Sequence, residues 1–80
     1  MAPLQEQIVE VLARVSRKDK ALITPDRDLA ADLGIDSPKA LQLLMELEER
    51  FKLQIEDEDA AKMVTVGDVI NFVIVNEKRH

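Results

Sequence analysis

The longest regular pattern in the chain lies between residues 38 and 51, where Ala40, Leu43, Leu44, Leu47 and Phe51 recur every three or four positions. At about 100° per residue these side chains share one face, which predicts a helix over 38–51. Leu4, Ile8, Val11, Leu12 and Val15 repeat the spacing, with Gln5, Glu6, Gln7 and Glu10 elsewhere, and predict a first helix over 3–17. Pro3 is tolerated in a first turn because its missing N–H has no intrahelical partner there, and Arg14, Arg17 and Lys18 complement the dipole at the other end. Val66, Val69, Ile70, Val73 and Ile74 form another inward face, although their β-branched character also suits a strand. The reciprocal-cap spacing of Thr65-Val66-Gly67-Asp68, with aspartate standing for the usual glutamate, favours a helix over 66–76.

Two segments remain. Residues 18–36 contain Pro25, which limits helix continuation, yet also Leu22, Ile23, Leu29, Leu33 and Ile35. A polar linker would not contain five large aliphatic side chains. The segment is therefore expected to be an ordered loop packed on the bundle, with a short turn around 28–33. Loops of this length in small domains are uncommon and often functional. Gly34 permits a positive φ before the next helix, or simply ends the short turn. The acidic run Glu56-Asp57-Glu58-Asp59 suits a helix N-terminus and predicts a short third helix over 57–63, the least stable element because of its brevity. The expected fold is all-α, a four-helix bundle with a short third helix and a frayed tail over 77–80.

Eighty residues allow one domain, 1–80, with no second core. With two phenylalanines and neither tyrosine nor tryptophan, that core is aliphatic and deformable, with about 3–5 kcal/mol of net stability. No apolar run approaches the roughly 20 residues of a membrane span, and the first residues lack a signal-peptide pattern, so a cytoplasmic protein without membrane insertion is expected. The absence of cysteine excludes disulfides, thiolate chemistry and cysteine-type zinc sites in the chain itself. A net charge of −5 and few clustered cations argue against nucleic acid as a partner. That charge suits basic patches on protein partners, or serves solubility alone.

Catalysis has little support. The single histidine, His80, lies in the tail, so Ser37 has no candidate base, and Gly34 and Gly67 do not form a phosphate loop. Neither Asp26, Asp28, Asp32 and Asp36 nor residues 56–59 have the spacing of a calcium loop, so no metal site is assigned. Ser37, at the mouth of the second helix, is the residue of interest. It is an N-cap candidate, its Oγ accepting from the N–H of Lys39 or Ala40, with Pro38 at the first helical position. The same position favours a phosphate attached to Oγ, facing free N–H groups and the positive dipole end. A like charge on Asp36 opposes simple anion binding and suggests that Asp36 serves a modifying enzyme instead. Beside the core face, Ser37, Leu41, Met45 and Glu48 form a second stripe. Either Leu41 and Met45 are exposed as a docking surface, or they belong to a wide core face.

In order and without insertions, the first helix, the long loop, Leu33-Gly34-Ile35-Asp36-Ser37, Leu47-Glu48-Glu49-Arg50-Phe51, Ile55-Glu56-Asp57-Glu58-Asp59 and Thr65-Val66-Gly67-Asp68 resemble the acyl carrier proteins over essentially the whole chain. The resemblance implies a four-helix bundle of acyl-carrier type that carries 4′-phosphopantetheine on Ser37. The thiol of that arm would hold acyl groups as thioesters for enzymes of fatty-acid or related lipid and polyketide biosynthesis. Asp36 would assist the magnesium-dependent phosphopantetheinyl transferase. Leu41, Met45, Glu48 and Glu49 would meet acyl-transferring and chain-modifying enzymes through their basic docking patches. The chain would be a monomer and a substrate of other enzymes rather than a catalyst.

Pro38 replaces the family's usual leucine, Lys39 and Gln42 stand at commonly acidic positions, and Arg50 interrupts the Glu48-Glu49 run. These departures point to a specialised member. An aminoacyl, peptidyl or polyketide carrier is the alternative cargo class. A helical interaction module that keeps the fold without carrying anything is the alternative function.

Overall fold

The computed structural model describes residues 3–77, in which the α-helices are α1 (Leu4–Ser16), α2 (Ser37–Phe51), α3 (Asp57–Ala61) and α4 (Val66–Glu77). The expected fraying of the tail falls on residues 78–80, outside the described residues; α4 itself continues through Glu77. The aliphatic periodicity does what burial requires. Ile8, Val11, Leu12 and Val15 of α1, Leu43 and Leu47 of α2, and Val66, Val69, Ile70 and Val73 of α4 meet in one core. Ala40, Phe51 and Ile74 pack half-buried at its edge. Arg14 of α1 ties to Glu46 of α2 at 2.7 Å, on the rim of the contact between those helices.

Helices α1 and α2 each end on a left-handed residue that is not glycine: Arg17 at φ 60° after α1 and Lys52 at φ 54° after α2. The turn lets the N–H groups of Arg17 and Lys18 reach the Ala13 carbonyl, and those of Lys52 and Leu53 reach the Glu48 carbonyl. Satisfying those carbonyls offsets the left-handed strain, roughly 1–2 kcal/mol for a side-chain-bearing residue.

The segment between α1 and α2 packs on the bundle. Ile23, Leu29, Leu33 and Ile35 are buried. Leu22 departs from the expectation that all five aliphatic residues anchor the loop, for it is 46% exposed. It lies with Lys20 and Ala21 in a single 3₁₀ turn, where successive side chains diverge by about 120°, so burying Ile23 turns Leu22 outward. The turn near residue 28 is built by side chains. Asp28 Oδ1 accepts the N–H groups of Ala30 and Ala31 at 2.9 and 2.8 Å, while the Asp28 N–H donates to Asp32 Oδ2 at 2.7 Å. Gly34 ends this turn at φ +64°, its N–H donating to the Ala30 carbonyl. It serves both anticipated purposes at once.

The loop is also sewn to the start of α4. Leu29 N–H donates to the Val64 carbonyl, Val66 N–H to that of Arg27 and Gly67 N–H to that of Pro25, at 2.9, 3.0 and 2.9 Å. The Pro25 oxygen would lie 3.1 Å from a Cβ on Gly67, so this approach favours a residue with no side chain. The reciprocal cap read from the sequence is present: Thr65 Oγ1 accepts from Asp68 N–H at 3.2 Å, and Asp68 Oδ2 accepts from Thr65 N–H at 3.0 Å. Helix α3 stops at Ala61 rather than Met63, because the Lys62 and Met63 N–H groups turn back to the Asp59 and Ala60 carbonyls three residues earlier. No residue of α3 is buried.

Candidate functional site

The N-cap of α2 is Asp36, not Ser37. Asp36 is extended at φ −85° and ψ −175°; its Oδ1 accepts the Lys39 N–H at 3.3 Å and its carbonyl accepts the Ala40 N–H at 2.7 Å. Ser37 is thereby the first helical residue and Pro38 the second. Asp36 and Ser37 can both cap, and with either as cap the donor-less nitrogen of Pro38 falls where an orphan N–H would otherwise stand. The Ala40 N–H is used by the Asp36 carbonyl, so Ser37 Oγ has no backbone donor to accept. Among the described residues it has no hydrogen-bond partner, and Ser37 is exposed. A nucleophilic oxygen at the positive end of a 15-residue helix is thus open to an outside enzyme.

Asp36 is exposed too, and its second oxygen has no partner among the described residues. The stripe running down α2 from Ser37 is exposed: Leu41 is 61% and Met45 60% accessible, so they do not belong to a wide core face. Gln42 and Glu49 flank them in solvent. Glu48 departs from this pattern. It is half-buried, and its Oε2 accepts the Ile55 N–H at 2.9 Å. The carboxylate therefore already has an internal partner. Sequence reasoning missed that bond because seven residues and a left-handed turn separate the two groups.

Beside the helix mouth lies a cavity of about 280 Å³. Leu29 and Ile35 of the loop, Ala40 and Leu44 of α2, and Ala60 and Met63 from the α3 segment line it, among others. The lining is that of a recess suited to an apolar chain. Among the described residues, no three histidines or carboxylates group in a way that could hold a metal ion. No helix among them is long and apolar enough to cross a membrane. The perturbed carboxylates belong to the loop and to the cap of α4, and serve structure there. Asp68 is held below the ordinary carboxylate value by the N–H groups of Thr65 and Val64, and Asp26 by the Thr24 hydroxyl at 2.6 Å.

An exposed serine at the mouth of a long helix, with an apolar cavity beside it, suits a domain that carries a tethered group rather than one that transforms a substrate. The family model described as the phosphopantetheine attachment site matches residues 6–73. An acyl carrier protein of Helicobacter pylori strain J99 is 42% identical over 74 residues, covering 92% of this chain and 95% of the relative. One of Syntrophobacter fumaroxidans is 39% identical over 77 residues, covering 96% and 95%. Among solved structures, a candidate acyl carrier protein from Mycobacterium tuberculosis superposes with a TM-score of 0.86 at 41% identity, over 91% of this chain and 97% of that one. The acyl carrier protein from Enterococcus faecalis gives 0.73 at 29% identity, over 90% and 96%. The chain belongs to the acyl carrier protein family, whose members carry acyl groups on a phosphopantetheine arm. Its residues fit that group: a free hydroxyl for the ester, a helix N-terminus for the phosphate and an apolar recess for the cargo.

Proposed function

We propose that Ser37 takes the 4′-phosphopantetheine arm and that the chain delivers acyl thioesters from it to the enzymes of a fatty-acid or related lipid pathway. The observation that carries this reading is the unpartnered Ser37 Oγ: its neighbour performs the cap that a serine at a helix mouth commonly makes. Asp36 holds the helix mouth with Oδ1 and offers its other oxygen to the magnesium-dependent transferase that brings the arm from coenzyme A. The domain does no chemistry of its own. It raises the local concentration of a tethered substrate for successive enzymes, and acts as a monomer.

Leu41 and Met45 form the apolar centre of the docking surface, with Glu49 as its free carboxylate for basic patches on partners. Glu48 joins that surface only by giving up its bond to Ile55. Lys39 in the first turn, Gln42 beside Leu41 and the Arg14 pairing of Glu46 leave the upper half of α2 with little negative charge. That points to partner enzymes that differ from those of general fatty-acid synthesis, with aminoacyl, peptidyl or polyketide cargo as the alternative.

Incubation with coenzyme A and a phosphopantetheinyl transferase tests the assignment by intact mass. One arm is expected on the wild-type chain and none on Ser37→Ala. A chain left unmodified by several broad-specificity transferases contradicts the carrier reading. Full biological activity of Ser37→Ala, with loss in Leu41→Asp, supports a non-carrying interaction module instead.

A further inference from the structure

Helix α3 is five residues long and buries none of them, yet Ala60, Met63 and Val64 form one wall of the apolar cavity. Something other than its own packing must hold it there. Its rear end is fixed by Asp68, whose Oδ2 accepts the N–H groups of Val64 and Thr65 at 3.0 Å each, and by the Leu29 N–H on the Val64 carbonyl. At the front, the turn between α2 and α3 is gathered onto one residue. The Glu48 carbonyl accepts the N–H groups of Lys52 and Leu53, and the Glu48 carboxylate accepts that of Ile55. Among the described residues, the carboxylate bond is the one side-chain hydrogen bond from α2 to the segment that leads into α3.

We propose that Glu48 is a positioning residue, the front latch that holds α3 over the cavity through the Ile55 N–H. The physical basis is the condition of the two partners. The bond is partly buried, so an Ile55 N–H without it loses its acceptor where water reaches poorly, and the strap from 53 to 56 is left to the edge packing of Leu53 and Ile55 on the core. With the rear clamp intact, the loosened strap lets α3 swing about residues 63–64 and lifts Ala60 from the cavity. The carboxylate reaches this bond from the same stripe as Leu41 and Met45. A partner cation that takes Glu48 therefore takes it from Ile55. The apolar occupant rests on the reading that Ser37 carries an acyl arm; the latch itself does not.

Amide hydrogen exchange on the unmodified chain tests the latch without any arm. In Glu48→Ala the amides of Ile55 and residues 58–63 should exchange at least about tenfold faster, with those of α1 and α4 unchanged within about twofold. Glu48→Gln, which keeps an acceptor oxygen, should stay within about threefold of wild type at the same amides. Unchanged α3 exchange in Glu48→Ala, or a parallel rise across α1 and α4, overturns the latch. On chains carrying an octanoyl thioester, hydroxylamine should cleave Glu48→Ala several-fold faster than wild type, with Glu48→Gln near wild type. Equal cleavage despite raised α3 exchange overturns control of the cavity. A wild-type chain that accepts no arm refutes the carrier reading instead, and the exchange rates still decide the latch.

Discussion

Asp36 Oδ1 accepts the Lys39 N–H at 3.3 Å, and by doing so releases the hydroxyl of Ser37 from the structural duty its position suggests. Capping therefore belongs to Asp36, and the modification proposed here to its neighbour Ser37. The two substitutions should separate cleanly. Asp36→Ala should cost about 1 kcal/mol of stability, as loss of a cap does, whereas Ser37→Ala should fall within about 0.5 kcal/mol of wild type. Denaturant midpoints of the unmodified proteins measure both. An equal loss in the two variants contradicts the division.

The left-handed helix ends offer a gain. Lys52→Gly should relieve strain at φ 54° and stabilise the fold by about 0.5–1 kcal/mol, since the left-handed region costs glycine little. The converse change, Gly34→Ala at φ +64°, should destabilise by about 1 kcal/mol although nothing crowds that site. Thermal unfolding reads both signs.

Which of these features the sequence announces depends on where their causes lie. The aliphatic spacing of α1, α2 and α4 is a property of neighbours three and four residues apart, so those helices and the Thr65–Asp68 cap were legible. So was the exposed Ser37–Leu41–Met45 line as one of two choices, because angular position is local even though depth is not. Two capping residues stood side by side at 36 and 37, and local preference alone did not rank them. Lys52 gives no sign of its left-handed turn, as a glycine would have done. The folding back of residues 52–55 onto Glu48 and the approach of Pro25 to Gly67 were hidden for the same reason. Each depends on tertiary placement rather than periodicity.

Acid should weaken the fold in a defined window. Asp68 and Asp26 both bind protons less readily when folded than their ordinary value of 3.8. A depressed folded value means that the unfolded chain takes up protons first, so this stability is present above 3.8 and is lost as pH falls through the folded values. The urea midpoint should hold from neutral pH to just above the carboxylate range and then drop. Asp68→Asn should be less stable than wild type at neutral pH, and the gap should close as the wild-type carboxylate protonates. A gap that stays constant at every pH contradicts a role for the charge at Asp68.

Docking should depend on apolar contact near Ser37 and on charge further down α2. Leu41→Asp and Met45→Asp should leave unfolding within about 0.5 kcal/mol of wild type, both side chains being exposed, yet slow arm transfer by about tenfold or more. Glu49→Lys should slow transfer mainly at low ionic strength, where an exposed charge is least screened. Equal rates at every salt concentration would make Glu49 a solvating group only.

The central claim is that Ser37 is the attachment point of an acyl-bearing arm, and fragmentation mass spectrometry of the chain purified from its native cell tests it most directly. The account predicts phosphopantetheine on the peptide that contains Ser37, with a hydroxylamine-sensitive acyl thioester at its end. A Ser37 that is bare in every molecule, or an arm found on a different residue, would contradict it.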